Sequence, residues 1–176
     1  WSWLIAKSLF FGTTSTTSVS CFGGSNGSAS VTAIGGAGGY SYSWSPTGGN
    51  DAIATGLTAG TYRVTITDAN SCSKTINDIL VGGPTAALKA APAAQTNILC
   101  NGKATGSATV TATGGTGTYT YSWAPTGGTA ATASGLTAGT YTATVTDANA
   151  CSSSQSFTIS EPAALVASPL AQTNIA

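Results

Sequence analysis

The chain has 176 residues, five basic and five acidic, no histidine, and a formal net charge of zero. With no basic stripe and no polybasic segment, neither nucleic acid nor an anionic membrane is an expected partner. The lack of histidine removes Ser-His-Asp and Cys-His nucleophile systems and His-ligated metals. Ser and Thr together make 53 residues, so solubility must rest on hydroxyls and backbone.

Residues 1–12 (WSWLIAKSLFFG) form the one strongly apolar segment. It is too short to span a bilayer, so direct membrane insertion is not expected. It lacks an initiator Met and a small-x-small cleavage site, which argues against a signal peptide. A shift of 79 residues aligns 6–12 with 85–91 and Leu9 with Leu88, which reads as a first strand. Residues 28–34 follow with period two: Ala29, Val31 and Ala33 on one face, Ser and Thr on the other. Asn26-Gly27-Ser28 just before them is formally a glycosylation sequon, and Asn-Gly is also a turn; the turn is expected. After Gly35-Gly36 comes Tyr40-Ser-Tyr42-Ser-Trp44, with its three aromatics on one face. Pro46-Thr-Gly-Gly49 makes a turn with permissive φ, and a weak small-residue strand ends at Gly56-Leu57.

The clearest strand is 61–68, where Tyr62, Val64 and Ile66 oppose Thr61, Arg63, Thr65 and Thr67. Asp68-Ala-Asn70 turns the chain, and Cys72 opens a last strand carrying Ile79 and Val81 before Pro84.

The same elements then return 79 residues later. From Cys21 to Ser73, 35 of 53 positions are identical to those from Cys100 to Ser152, without a gap. The second last strand, with Phe157 and Ile159, is one residue shorter, so a bulge is expected near Asn77-Asp78 in the first. A repeat of this size denotes an array of small domains. Repeat 1 takes residues 1–84, with 1–5 as the tail of a preceding repeat. Repeat 2 takes 85–162, and 163–176 reads as the first strand of a following one, because Gln172-Thr-Asn-Ile175 echoes Gln95-Thr-Asn-Ile98. Short strands separated by Gly and Pro turns, with no helical period, predict an all-β chain of tandem immunoglobulin-like β-sandwiches. The run Leu57-Thr-Ala-Gly-Thr-Tyr62, repeated at 136–141, fits a tyrosine corner.

The acids are Asp51, Asp68, Asp78, Asp147 and Glu161, and none forms a pair across one scissile bond. The glycines lead into no helix, so no phosphate loop is expected. No catalytic, cofactor or metal site is predicted. Asp68 with Asn70 and Asp147 with Asn149 offer too few oxygens for calcium, and shaping of the hairpin through backbone bonds is the better reading. Trp44 and Trp123 could stack on sugar rings; core packing is the expectation instead. The structural residues are therefore Cys21, Cys72, Cys100, Cys151, Trp44, Trp123, Tyr62 and Tyr141. Each repeat holds two cysteines, and paired cysteines in a small β-rich repeat point to an oxidising, extracellular location. Bridges Cys21–Cys72 and Cys100–Cys151 are expected, each worth about 4 kcal/mol by chain entropy. On that expectation Cys72→Ser lowers a repeat's stability by several kcal/mol.

The combined pattern resembles the SprB-type repeat of Bacteroidota surface proteins, which include a gliding-motility adhesin. The matching residues are Cys100-Asn-Gly102, Gly114-Gly115, 119–123, 135–141, Val145-Thr-Asp147-Ala-Asn149 and Cys151, with Cys21-Phe-Gly23 replacing Cys-Asn-Gly in the first copy. The resemblance covers residues 21–162 well. It implies a secreted cell-surface filament or adhesin, exported by type IX secretion and serving adhesion or gliding. It carries no catalytic or cofactor residue. The implied partners are a surface polysaccharide or other adhesion target, neighbouring repeats, and other filament chains. A self-assembling fibre with strand exchange and a carbohydrate-binding module array are the alternatives, with an exposed aromatic row as the mark of the latter.

Overall fold

The computed structural model describes residues 8–168, all strand, turn and loop. It forms two compact units that divide between Ala87 and Leu88. The first contains β1 (Leu9–Thr17), β2 (Gly27–Gly35), β3 (Ser41–Ser45), β4 (Ile53–Leu57), β5 (Gly60–Thr67) and β6 (Ser73–Val81). The second contains β7 (Lys89–Thr96), β8 (Gly106–Thr113), β9 (Thr120–Ala124), β10 (Thr132–Leu136), β11 (Gly139–Thr146) and β12 (Ser152–Ile159). Each unit has two three-stranded antiparallel sheets. Their orders are β1-β2-β4 and β3-β5-β6 in the first, and β7-β8-β10 and β9-β11-β12 in the second. Strands that alternate between sheets in this order make an immunoglobulin-like sandwich.

Alternation decides which side chains meet between the sheets. Ala29 and Val31 of β2, Ala54 and Leu57 of β4, Trp44 of β3, and Tyr62, Val64 and Ile66 of β5 form one core with Ile79 and Val81. Ala108, Val110, Trp123, Ala133, Leu136, Tyr141, Ala143, Val145, Phe157 and Ile159 form its counterpart. Most residues between them on each strand are Ser or Thr, with Gly56, Arg63, Leu80 and Gly135 as exceptions, and they are partly or fully exposed. Small residues on one sheet face a large ring on the other.

The first unit's extra residue lies where the lengths require it. Tyr62 pairs with Ile79 and Val64 with Ile76, so Asn77 and Asp78 together oppose Arg63. Asp78 takes φ 57° to make this bulge. The edge strands β1 and β7 also carry irregularities, between Phe11 and Thr14 and between Pro92 and Ala94. Pro92 is tolerated there because an edge strand leaves one row of N–H groups unused. The turn before β2 falls four residues earlier than expected, at Phe22-Gly23. Gly24 N–H donates to Cys21 O, while Asn26 reaches back to accept from Ser20 N–H and donate to Ser20 Oγ. The Asn side chain closes the loop, so Asn26-Gly27 is not itself the turn.

Residues 163–168 form no strand. The rest of the segment assigned to a following repeat, 169–176, lies outside the described residues, as does the tail assigned to 1–5. No described helix is long and apolar enough to cross a membrane.

Candidate functional site

The cysteines give the clearest disagreement with expectation. Cys72 and Cys100 are free thiols, whereas Cys21 and Cys151 are in disulfide linkage. Neither expected bridge, Cys21–Cys72 nor Cys100–Cys151, is formed. The reason is the length of one strand. Val19 N–H donates to Gly82 O, which places Cys21 just beyond the end of β6. Cys72 directly precedes the start of β6. Nine residues of strand separate those ends by about 30 Å, whereas a disulfide needs Cα atoms within about 7 Å. In the second unit Ile98 N–H donates to Ser160 O, putting Cys100 past the end of β12, and Cys151 precedes its start. Cys72→Ser is therefore expected to change stability by less than about 0.5 kcal/mol, with and without reductant, because the side chain is exposed and unbridged. A urea midpoint lowered by the equivalent of several kcal/mol would restore the staple inside the repeat.

At the pole holding Cys72, a buried carboxylate ties together the backbone of two loops. Asp68 Oδ1 accepts from Asn70 N–H and Cys72 N–H, both at 2.9 Å. Its Oδ2 accepts from Ala37 N–H at 2.9 Å, across 31 residues of sequence. The Ala37 bond, opposed by burial and joined by those from Cys72 and Asn70, holds the carboxyl below its usual range. Asp147 accepts from Asn149 N–H and Cys151 N–H in the same way. Both carboxylates are buried. In Asp68 both oxygens are engaged by N–H donors. No group of three potential metal ligands exists among the described residues.

On the same sheets, in β3 and β9, Trp44 and Trp123 are each 6% exposed. Their indole N–H groups donate to Asp51 O at 2.8 Å and Ala130 O at 2.9 Å. They offer no exposed ring for a sugar to stack on. Tyr62 and Tyr141 hydroxyls donate to Thr58 O and Thr137 O, four residues back, at 3.0 and 3.2 Å. Sequence reasoning missed the glycine that makes room for each indole. A Cβ on Gly48 would lie 2.8 Å from Trp44 Cβ and 2.9 Å from Ala54 Cβ, and one on Gly127 would meet Trp123 and Ala133 similarly. Both glycines also take φ near 135°. Their position four residues after the Trp in a Pro-Thr-Gly-Gly turn was the available signal.

The outer faces are nearly free of charge and rich in hydroxyls. Thr142 and Thr144 meet Ser156 and Ser154 at 3.3 and 3.1 Å across β11 and β12, and Thr65 meets Thr75 at 3.0 Å across β5 and β6. The first unit adds exposed apolar side chains: Phe10 and Ile34, which are register partners, and Ile53. A cleft of about 230 Å³ beside its bulge is lined by Arg63, Asn77 and Asp78, with Ser45, Pro46, Thr61 and Tyr62.

Comparison with solved structures returns distant matches. The three N-terminal domains of the bacteriophage RB49 highly immunogenic outer capsid protein (Hoc) match at 19% identity and a TM-score of 0.47, over 89% of this chain and 59% of that one. A C-terminal 282-residue fragment of intimin, in complex with the intimin-binding domain of the translocated intimin receptor, matches at 12% identity and a TM-score of 0.46, over 85% and 64%. The chain thus spans less than two thirds of either structure. No curated protein matches it. The SprB repeat matches twice, at residues 13–49 and 93–128. Each match runs from within the first strand of a unit, through the second and third, to the Gly-Gly turn that receives the Trp, which is consistent with a SprB-type repeat in each unit.

Proposed function

We propose that the chain is a structural and adhesive segment of a cell-surface filament, without catalytic activity. One observation carries this reading. Between the two copies, over residues 21–73 and 100–152, only two of the positions that differ are buried, and both remain apolar: Val64 against Ala143 and Ile66 against Val145. All other differences fall on partly or fully exposed positions, including Phe22 against Asn101, Ile34 against Thr113, Ile53 against Thr132 and Arg63 against Thr142. A repeated scaffold with a varied, mostly uncharged surface suits many weak contacts summed by avidity. It does not suit one precise site reproduced in each unit. The disulfide chemistry supports an extracellular location, and the SprB repeats support a surface adhesin-type parent.

In this proposal Trp44, Trp123, Tyr62 and Tyr141 hold the fold and take no part in ligand stacking. The target is a surface polysaccharide or comparable hydrated polymer, met by the hydroxyl faces. Gliding and type IX secretion belong to the same reading as its finer form.

Beads coated with the chain are expected to resist detachment by flow from at least one polysaccharide-coated surface. Retention no better than albumin-coated beads on every surface would sink the adhesive reading. Sedimentation of the purified chain as a growing polymer would replace it with a strand-exchanging fibre.

A further inference from the structure

We propose that the cleft beside the bulge of the first unit binds the carboxylate of an acidic sugar in a surface polysaccharide, with Arg63 as its anchor. The inference rests on the adhesive reading above and names the sugar class. Arg63 is the one arginine of a chain with only five basic residues. Its neighbours on β5, Tyr62 and Val64, are buried, so alternation turns Arg63 to the outer face, where it is exposed. Ser45 pairs with it from β3. On its other side the ladder steps from Tyr62–Ile79 to Val64–Ile76, so that Asn77 and Asp78 both stand opposite Arg63. Ile79 is buried and Ile76 packs against the core, while Asn77 and Asp78 are exposed. The bulge therefore turns two consecutive polar side chains outward where a regular strand would turn one.

The same place in the second unit holds none of this chemistry. There Thr142 pairs with Ala124 on one side and Ser156 on the other, and β11 runs along β12 without a shift. One extra residue, one guanidinium, one amide and one carboxylate thus distinguish the first unit at a single row across three strands. The cleft they line measures about 230 Å³ and is completed by Ser45, Pro46, Thr61 and Tyr62. Among the described residues, no ion pair or hydrogen bond engages the side chains of Arg63, Asn77 or Asp78. Their polar atoms are available to a ligand.

The residue types decide the ligand class. A guanidinium presents a planar fork of donors that matches both oxygens of a carboxylate. Neighbouring strands lie about 4.8 Å apart, so Ser45 and the Asn77-Asp78 pair flank Arg63 at about that backbone spacing. When a sugar carboxylate sits on Arg63, the ring hydroxyls meet an acceptor in Asp78, an amide in Asn77 and a hydroxyl in Ser45. Asp78 opposes a second negative charge, so the cleft favours a monoanionic carboxylate over a phosphate dianion. A hexuronate carries one carboxylate and several hydroxyls on one ring, and meets each of these demands.

Surface plasmon resonance on the whole chain tests the site, with polygalacturonate, its methyl ester and dextran as probes. Polygalacturonate is expected to bind at least about tenfold more tightly than the ester, a comparison that needs no variant. Arg63→Thr places in the first repeat what the second carries at the matching position, so the fold has precedent for it. It should abolish the preference for the acid, with an unchanged melting midpoint as the check on folding. Lys74→Thr removes an exposed charge of the same sign from β6 and should leave the preference intact. Equal binding of acid and ester, a preference that survives Arg63→Thr, or an equal loss in Lys74→Thr overturns the proposal. Binding of dextran without polygalacturonate also overturns it while leaving the adhesive reading in place. Binding of none of the three overturns it as well, and the bead assay then decides separately whether adhesion stands.

Discussion

Trp123→Ala is expected to remove about 4 kcal/mol from the second repeat and leave the first nearly untouched. The indole is almost fully buried, lies 5.4 Å centroid to centroid from Phe157, and donates its N–H to Ala130 O. Truncation leaves a cavity that is hard to close, because Gly127 has no side chain and Ala133 only a methyl group to fill it. It also leaves a carbonyl without its donor. A domain of this size is stable by only about 4–12 kcal/mol, so the variant repeat should be close to its own unfolding threshold. Hydrogen exchange followed separately on peptides from β8–β12 and β2–β6 would show protection lost in the first set alone. Equal loss in both sets, or a change below about 1 kcal/mol, would contradict this account of the core.

The second large effect is expected from the buried carboxylates. Asp147→Ala should cost about 3 kcal/mol, since it strips acceptors from the Asn149 and Cys151 N–H groups in a turn where Ala150 holds φ 63°. The equivalent in the first repeat supplies a pH signature. The Asp68 carboxyl is held below 3.8, chiefly by the Ala37 N–H, so its ionised form favours the folded state. A depressed carboxylate contributes stability that is fully present above its unfolded value and lost as pH falls through its folded value. Melting of the first repeat should therefore be flat from neutral pH to about pH 5 and fall below about pH 4. Asp68→Asn should lower the plateau and flatten that acid slope. An unchanged acid slope in Asp68→Asn would show that the clamp is not linked to folding.

Much of the sandwich could be read from the chain because its determinants are local. Alternation in Ala29-Ser-Val31 or Tyr62-Arg-Val64-Thr-Ile66 follows from a two-residue period, and comparing the two last strands located the bulge opposite Arg63 to within a residue. The Asp68-Ala-Asn70 turn is equally local in its bonds to Asn70 and Cys72. The bond from Asp68 to Ala37 is not, since nothing in the 31 intervening residues says which loop will lie over the carboxylate.

The cysteines show the same boundary more sharply. Their number and their repetition are written in the sequence, and pairing the two in each repeat is the economical reading of it. What the sequence does not carry is direction in space. Cys21 and Cys72 belong to one small domain, but β6 runs the full length of the sandwich between them. A strand rises about 3.3 Å per residue, and nine such steps exceed the reach of a disulfide several-fold. Alternation and turn chemistry, which act over a few residues, were thus determined by the sequence by itself. Which pole each thiol occupies was decided only when the strands were laid against one another.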